Sequence, residues 1–181
     1  KMKKLFLISF FLIVSCSKSG DLVMSKNAKD IIGNNNYPAI SYGGYRGKSR
    51  EVQPSIEDIK EDLQIMFAQG FRVIRTYDLH HPFAENTLKA ISELKNSDSD
   101  FEMYVMLGAW IQCKDAFTDL PIHNEEDLEG NKVEIAEAVR LAQEYQDIVK
   151  VIAVGNEAMV HWATSYHLEP KYILKWVKYL Q

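Results

Sequence analysis

Two stretches of this chain are apolar on both faces of an extended backbone, and segments of helical periodicity lie on either side of each. They are Met103-Tyr104-Val105-Met106-Leu107 and the run Val149–Val154, apolar but for Lys150. A strand with one wet face alternates apolar and polar residues. A strand buried on both faces runs apolar throughout, and such strands belong to parallel sheets covered by helices. The strands and helices must therefore take turns along the chain.

They do. Residues 39–45 read as a short strand. Ser55, with Asp58 three positions on, has the form of a capping box. Ile56, Ile59, Leu63, Met66 and Phe67 follow at helical spacing and Gly70 suits the helix end. Residues 71–77 (Phe-Arg-Val-Ile-Arg-Thr-Tyr) are β-branched and aromatic, hence a second strand. A helix over 83–95 follows Pro82 and carries Leu88, Ile91 and Leu94 on one face. After the third strand, residues 115–129, from Asp115 to Glu129, form an acidic loop that lacks EF-hand spacing and reads as solvated. Asn131 reads as the N-cap of the next helix, with Glu134 behind it and Ile135, Ala138, Val139 and Ala142 facing inward. After the fourth strand, Pro170 opens a last helix with Ile173, Leu174, Val177 and Leu180 at helical spacing. Four β-then-α units result. A doubly wound α/β sheet and half of a (β/α)8 barrel both fit this order. The turn Gly43-Gly44-Tyr45-Arg46-Gly47 lacks G-x-G-x-x-G spacing, which argues against nucleotide binding.

The first residues have another purpose. Lys1, Lys3 and Lys4 precede an apolar run from Leu5 to Val14 that is too short to span a bilayer and suits a signal peptide. It ends in Ile13-Val14-Ser15-Cys16, which resembles a bacterial lipobox with Cys16 as the lipidated residue. The expected organisation is a lipoprotein signal peptide over 1–16, a flexible polar tether over 17–37, and a folded part over 38–181. The expected location is exported and membrane-attached, on a bacterial outer membrane or cell surface, with the lipid as the sole membrane contact. A lipidated Cys16 leaves Cys113 without a disulfide partner. A net charge of -4 offers no basic face for nucleic acid.

The chemistry-bearing motif is Ile152-Ala153-Val154-Gly155-Asn156-Glu157. A buried strand ends in an Asn-Glu pair at the edge where barrel active sites lie. Desolvation against an apolar wall would raise the Glu157 pKa and suit it to general acid work. Asn156 is placed to hold a sugar hydroxyl. A helix N-terminus decorated with Asn and Glu is the plainer reading of the same residues. Arg75 stands at a strand end, as a brace for a carboxylate or in a surface ion pair. Trp110 is placed to stack on a sugar ring or to cap the top of the sheet. Trp162 follows Glu157 closely, while Trp176 reads as packing. His80 and His81 lack further ligands, so neither a metal nor a cofactor is expected. Cys113 has no partner histidine pattern for a thiol nucleophile.

Residues 151–157 (Val-Ile-Ala-Val-Gly-Asn-Glu) resemble the signature of glycoside hydrolase family 17, the β-1,3-glucanases. Tyr42-Gly43 is similar to the first-strand Tyr-Gly of that family. Residues 73–78 resemble its Arg-x-Tyr-Asp second strand, and residues 105–108 its third. The similarity covers about residues 38–181, in order. It implies a (β/α)8 TIM-barrel type fold of which about the first four βα units are present. It also implies a retaining mechanism on a β-glucan polysaccharide or oligosaccharide, with Glu157 as general acid/base. Asn156, Tyr42, Arg75, Asp78 and Trp110 are expected to bind substrate. Retention needs a second carboxylate about 5–5.5 Å away, which in the family comes from the seventh strand. The chain ends before such a strand, so it reads as truncated and inactive alone. Asp78 is a binding or orienting residue in this reading. The rival readings are a non-catalytic glucan-binding remnant, a β-1,3-glucan transglycosylase of the same family, and a solute-binding α/β domain. The oligomeric state is left open.

Overall fold

A computed structural model describes residues 26–181; the expected signal peptide, Cys16 and the tether up to residue 25 lie outside the described residues. Four strands, β1 (Ala39–Ser41), β2 (Val73–Arg75), β3 (Tyr104–Ala109) and β6 (Val149–Val154), form one sheet in that order. Every neighbouring pair is parallel. Helices α2 (Ile56–Ala68), α3 (Phe83–Ser97) and α4 (Leu128–Glu144) make the crossovers, and α5 (Pro170–Leu180) follows β6. The expected mixed α/β architecture with a parallel sheet is present.

Side chains on successive strand residues point to opposite faces, and the two faces differ. Ile74, Val105, Leu107 and Ala109 join Ile59 and Leu63 of α2, Leu88 and Ile91 of α3, and Ile135 and Leu141 of α4 in one core. The opposite face carries Val73 and Tyr104, packed with Ile31 and Tyr37 in a smaller cluster. Its upper rows bring Ser41 beside Arg75, Arg75 beside Met106, and Met106 beside Val151.

Ile31 belongs to α1 (Ala28–Ile31) and is fully buried. Residues 26–37 fall within the expected tether; there α1 forms and Ile31 is buried, while residues 32–36 are exposed. An isoleucine within reach of the apolar lower rows of a sheet gains by covering them. The strap is fixed further by Lys26, whose ammonium pairs with Glu102 at 2.6 Å, while Tyr104 donates to the same carboxylate oxygen at 2.8 Å.

The helix starts follow their caps. Asp58 N–H donates to Ser55 Oγ at 3.1 Å and Ser55 N–H returns a bond to Asp58 Oδ2 at 3.1 Å, the expected capping box of α2. Helix α4 begins a turn earlier than Asn131, because Asp127 caps it by accepting from Gly130 N–H at 3.1 Å. Asn131 is buried and bonds sideways to Gln112, accepting from its N–H and donating to its carbonyl, both at 3.0 Å. The expected acidic loop is also more ordered than its composition implied. Within it, β5 (Ile122–Glu126) pairs antiparallel with β4 (Cys113–Lys114). Glu126 receives the Trp176 indole N–H at 2.8 Å and pairs with Lys175, which docks α5 onto this ribbon. Trp176 is a packing residue, as expected, and Cys113 is buried, with burial raising its thiol pKa.

Strand β6 is less covered than its composition suggested. Val149 is buried but residues 150–154 are half-exposed, because β3 is its sole strand neighbour among the described residues.

Candidate functional site

The C-terminal ends of β2, β3 and β6 converge on one rim. Two close approaches bring them there. A Cβ on Gly108 would lie 2.4 Å from the Thr76 carbonyl, so only glycine lets β3 run this near the end of β2. Thr76 Oγ1 also accepts from Gly108 N–H at 3.0 Å. Gly155 then turns the chain off β6 in the left-handed region (φ +78), its N–H donating to the Ala109 carbonyl at 2.8 Å.

That turn presents Asn156 and Glu157. Arg75, half-buried at the end of β2, donates from Nη2 to Asn156 Oδ1 at 2.7 Å. The bond leaves the Asn156 amide N–H2 to donate elsewhere. Glu157 adopts φ +52, a conformation that opposes a side chain by about 1–2 kcal/mol. It is solvent-exposed, so the desolvation expected from the sequence is not there. Tyr166 stands beside it, with its hydroxyl 3.5 Å from Glu157 Oε2. Burial, and then the Glu157 charge, raise the Tyr166 pKa, which keeps that hydroxyl a donor.

Trp110 is held at the end of β3 by a chain of side chains. Its indole N–H donates to Gln112 Oε1 at 3.1 Å, and Gln112 Nε2 donates to Asp127 Oδ2 at 3.0 Å. Its ring meets Tyr166 at 4.7 Å between centroids. Trp110 N–H donates at 2.7 Å to Glu134 Oε1, which also accepts from Leu79 N–H at 2.8 Å. A single buried carboxylate on α4 thus ties together the loops that follow β2 and β3. Burial raises the Glu134 pKa, against the opposing effects of these N–H groups and of His80 at 3.5 Å.

Of the expected site residues, the structure brings together Arg75, Asn156 and Glu157, with Trp110 alongside through Tyr166. Asp78 lies half-buried in the loop after β2 and lines a cleft with Trp110. Tyr42 departs from the expectation. Its ring packs against Phe83 and its hydroxyl donates to Asp62 of α2 at 3.0 Å, so the tyrosine braces the β1–α2 junction. Trp162 is 68% exposed and has no ring partner in the Trp110 group. His80 and His81 line the Asp78 cleft. Among the described residues, no group of three or more His, Cys, Asp or Glu is placed to hold a metal ion. Tyr166 and Phe117 were not singled out from the sequence, and Glu134 was read there only as the residue behind the Asn131 cap, whereas it bonds to the N–H groups of Leu79 and Trp110. An acid on the inward stripe of a helix was the one available signal for Glu134.

No protein-family profile matches the chain, and no curated protein does. It is similar to the crystal structure of an endo-laminarinase from Formosa Hel1_33_131, with 61% sequence identity and a TM-score of 0.84. The match covers 86% of this chain and 40% of that one, so the chain spans well under half the length of the protein it resembles.

Proposed function

We propose that this chain is the acid/base-bearing portion of a retaining β-1,3-glucanase of the glycoside hydrolase family 17 type, the first four βα units of a (β/α)8 barrel. The observation that carries the reading is Glu157, turned off the end of β6 with Asn156 anchored by Arg75, in a chain 61% identical to an endo-laminarinase. A β/α barrel assembles its active site on this face, from the ends of several strands. Four parallel strands in sequential order, with helices on one face, supply half of that arrangement.

In the first step Glu157, protonated, gives its proton to the glycosidic oxygen as the leaving sugar departs. A second carboxylate, carried by a segment beyond these four units, attacks the anomeric carbon and forms a glycosyl-enzyme ester. In the second step Glu157, now ionised, takes a proton from water, which attacks the same carbon and releases the carboxylate. Tyr166 directs its O–H toward Glu157 Oε2 and biases the carboxyl position. The Asn156 amide N–H2 donates to a hydroxyl of the sugar being cleaved. Asp78 accepts from sugar hydroxyls and Trp110 offers a stacking face. Glu134 acts through the loops it holds. In the same proposal Cys16 carries a lipid that attaches the exported protein to the bacterial outer membrane or cell surface.

The test is Glu157→Gln in the protein that carries the second carboxylate strand, assayed on laminarin. The expected loss is about 10²–10⁴-fold in kcat/KM. An aryl glucoside whose leaving group needs no proton should retain its first step. Unchanged laminarin turnover removes Glu157 from the role.

A further inference from the structure

The segment that follows Glu157 is held to the β4–β5 ribbon by three consecutive carbonyls. Phe117 N–H donates to that of Ser165 at 2.8 Å, and Cys113 N–H to that of Tyr166 at 3.1 Å. The third carbonyl, of His167, lies 2.8 Å from Nδ1 of His123 on β5. A carbonyl only accepts, so His123 carries a proton on Nδ1 and donates it there. Two of the three donors are backbone groups. The third is a side chain, so it depends on the residue at position 123.

His123 also lies face to face with the ring of His167, with 3.7 Å between centroids and 15° between planes. That second ring is itself fixed. Its Nδ1 donates to the Ala163 carbonyl at 3.1 Å, and His161 meets it edge-on at 5.3 Å. Both stacked rings are half-buried. His123 therefore grips a braced turn and not a free loop end.

Two paths lead from this grip to Glu157. On one, Tyr166, flanked by the held carbonyls of Ser165 and His167, turns its hydroxyl to Glu157 Oε2 at 3.5 Å. Among the described residues that hydroxyl is the side-chain partner of the exposed carboxylate. On the other path, Leu168 N–H donates to the Ala158 carbonyl at 2.8 Å, which closes the loop onto the residue next to Glu157. Glu157 lies at φ +52, and strained backbone persists only where its surroundings over-determine it. Residues 165–168 supply those surroundings, and β5 fixes them from outside.

A general acid works only within hydrogen-bond reach of the oxygen it protonates, and a misplacement of about 1 Å can cost about 10²-fold in rate. We infer that His123 is a positioning residue: from β5 it fixes residues 165–168 and, through Tyr166 and Ala158, the place of the Glu157 carboxylate. The inference rests on the glucanase reading for what Glu157 does, and on the hydrogen bonds for how it is held.

Two substitutions separate the ring from its proton. His123→Phe keeps a ring on His167 and removes the donor, whereas His123→Asn gives up the ring and keeps an N–H donor near the place of Nδ1. In the 181-residue chain, hydrogen exchange of the Leu168 amide reads the loop closure without any need for turnover. His123→Phe should speed that exchange about tenfold and His123→Asn should restore it, with the Ile91 amide of α3 unchanged in both as the check of the fold. In the protein that carries the second carboxylate, His123→Phe should lower kcat on laminarin about tenfold at unchanged KM, with His123→Asn close to wild type. An aryl glucoside whose leaving group needs no proton should keep its kcat/KM in every variant, because its first step does not call on Glu157 as an acid. Equal losses on both substrates mean that His123 supports the fold at large and overturn the inference. So does unchanged Leu168 exchange in His123→Phe, or unchanged laminarin turnover in that variant while Glu157→Gln loses activity; both leave the glucanase reading standing. Unchanged turnover in Glu157→Gln sinks that reading and the inference with it, even where the Leu168 exchange responds.

Discussion

The two ends of the sheet are built on opposite terms. At the N-terminal end Ile31 is fully buried against Val73 and Tyr104, and the polar groups around it are paired. At the C-terminal end an exposed carboxylate and an exposed phenyl ring both sit in left-handed backbone. All three non-glycine residues with positive φ among the described residues lie here, Asp115 and Phe117 in the β4–β5 connection and Glu157 just after β6. The lower end is held by carbon packed on carbon, the upper end by a few directed hydrogen bonds that oppose local strain. Strain of this kind is retained where a side chain must be presented, and the lower end has nothing to present.

The difference can be broken from either end. The largest effect is expected for Glu134→Ala, which orphans the N–H groups of Leu79 and Trp110 and opens a cavity. Chemical denaturation should show a loss of roughly 3–5 kcal/mol. The proposed glucan binding should weaken with it, since both rim loops lose their anchor. Ile31→Ala should remove about 2–4 kcal/mol of stability, yet below its transition it should bind oligosaccharide as wild type does. If it weakens binding as much as Glu134→Ala, the two ends are not separable. Glu157→Gly should have the opposite sign, gaining up to about 1 kcal/mol by relieving the left-handed backbone while removing the carboxylate proposed as the acid. A destabilised Glu157→Gly would show that φ +52 carries no strain.

The smallest effect is a pH drift. Burial raises the Glu134 pKa above its ordinary 4.5, with Asp78 adding to the shift and His80 opposing it. The folded protein therefore holds that proton more tightly than the unfolded chain. The resulting stability is complete below about pH 4.5 and is lost as pH rises through the raised folded value. Glu134→Gln keeps an acceptor and does not titrate. Wild-type stability relative to this variant should fall as pH climbs from below 4.5, as measured by paired denaturant titrations. A constant difference means that Glu134 is not shifted.

Much of the framework was legible because it is local. Strand β6 shows in its apolar run, and the start of α2 in Ser55 and Asp58, three residues apart. The start of α4 was misjudged because Asp127 and Asn131 are both good caps, and only contact with Gln112 decides which one is free to act. The β4–β5 ribbon was missed because its paired strand is Ile-His-Asn-Glu-Glu, whose pattern resembles a polar loop until Glu126 finds Trp176. At the site, the positions of Asn156, Glu157 and Arg75 at strand ends were legible from the apolar runs that precede them, whereas their role is a proposal. Tyr42 was misplaced since a tyrosine there can turn toward the rim or toward α2, and Asp62 decides it. The left-handed state of Phe117 has no glycine to announce it, and Glu134 acts on residues 24 and 55 positions away.

The Glu134 carboxylate grips peptide N–H groups, which every residue but proline possesses. The residues at positions 79 and 110 can therefore be exchanged without loosening the grip. This separates how the two loops are held from what they display. A lineage can rewrite the rim while inheriting its scaffold unaltered, provided one acid on one helix is kept and proline stays out of two places.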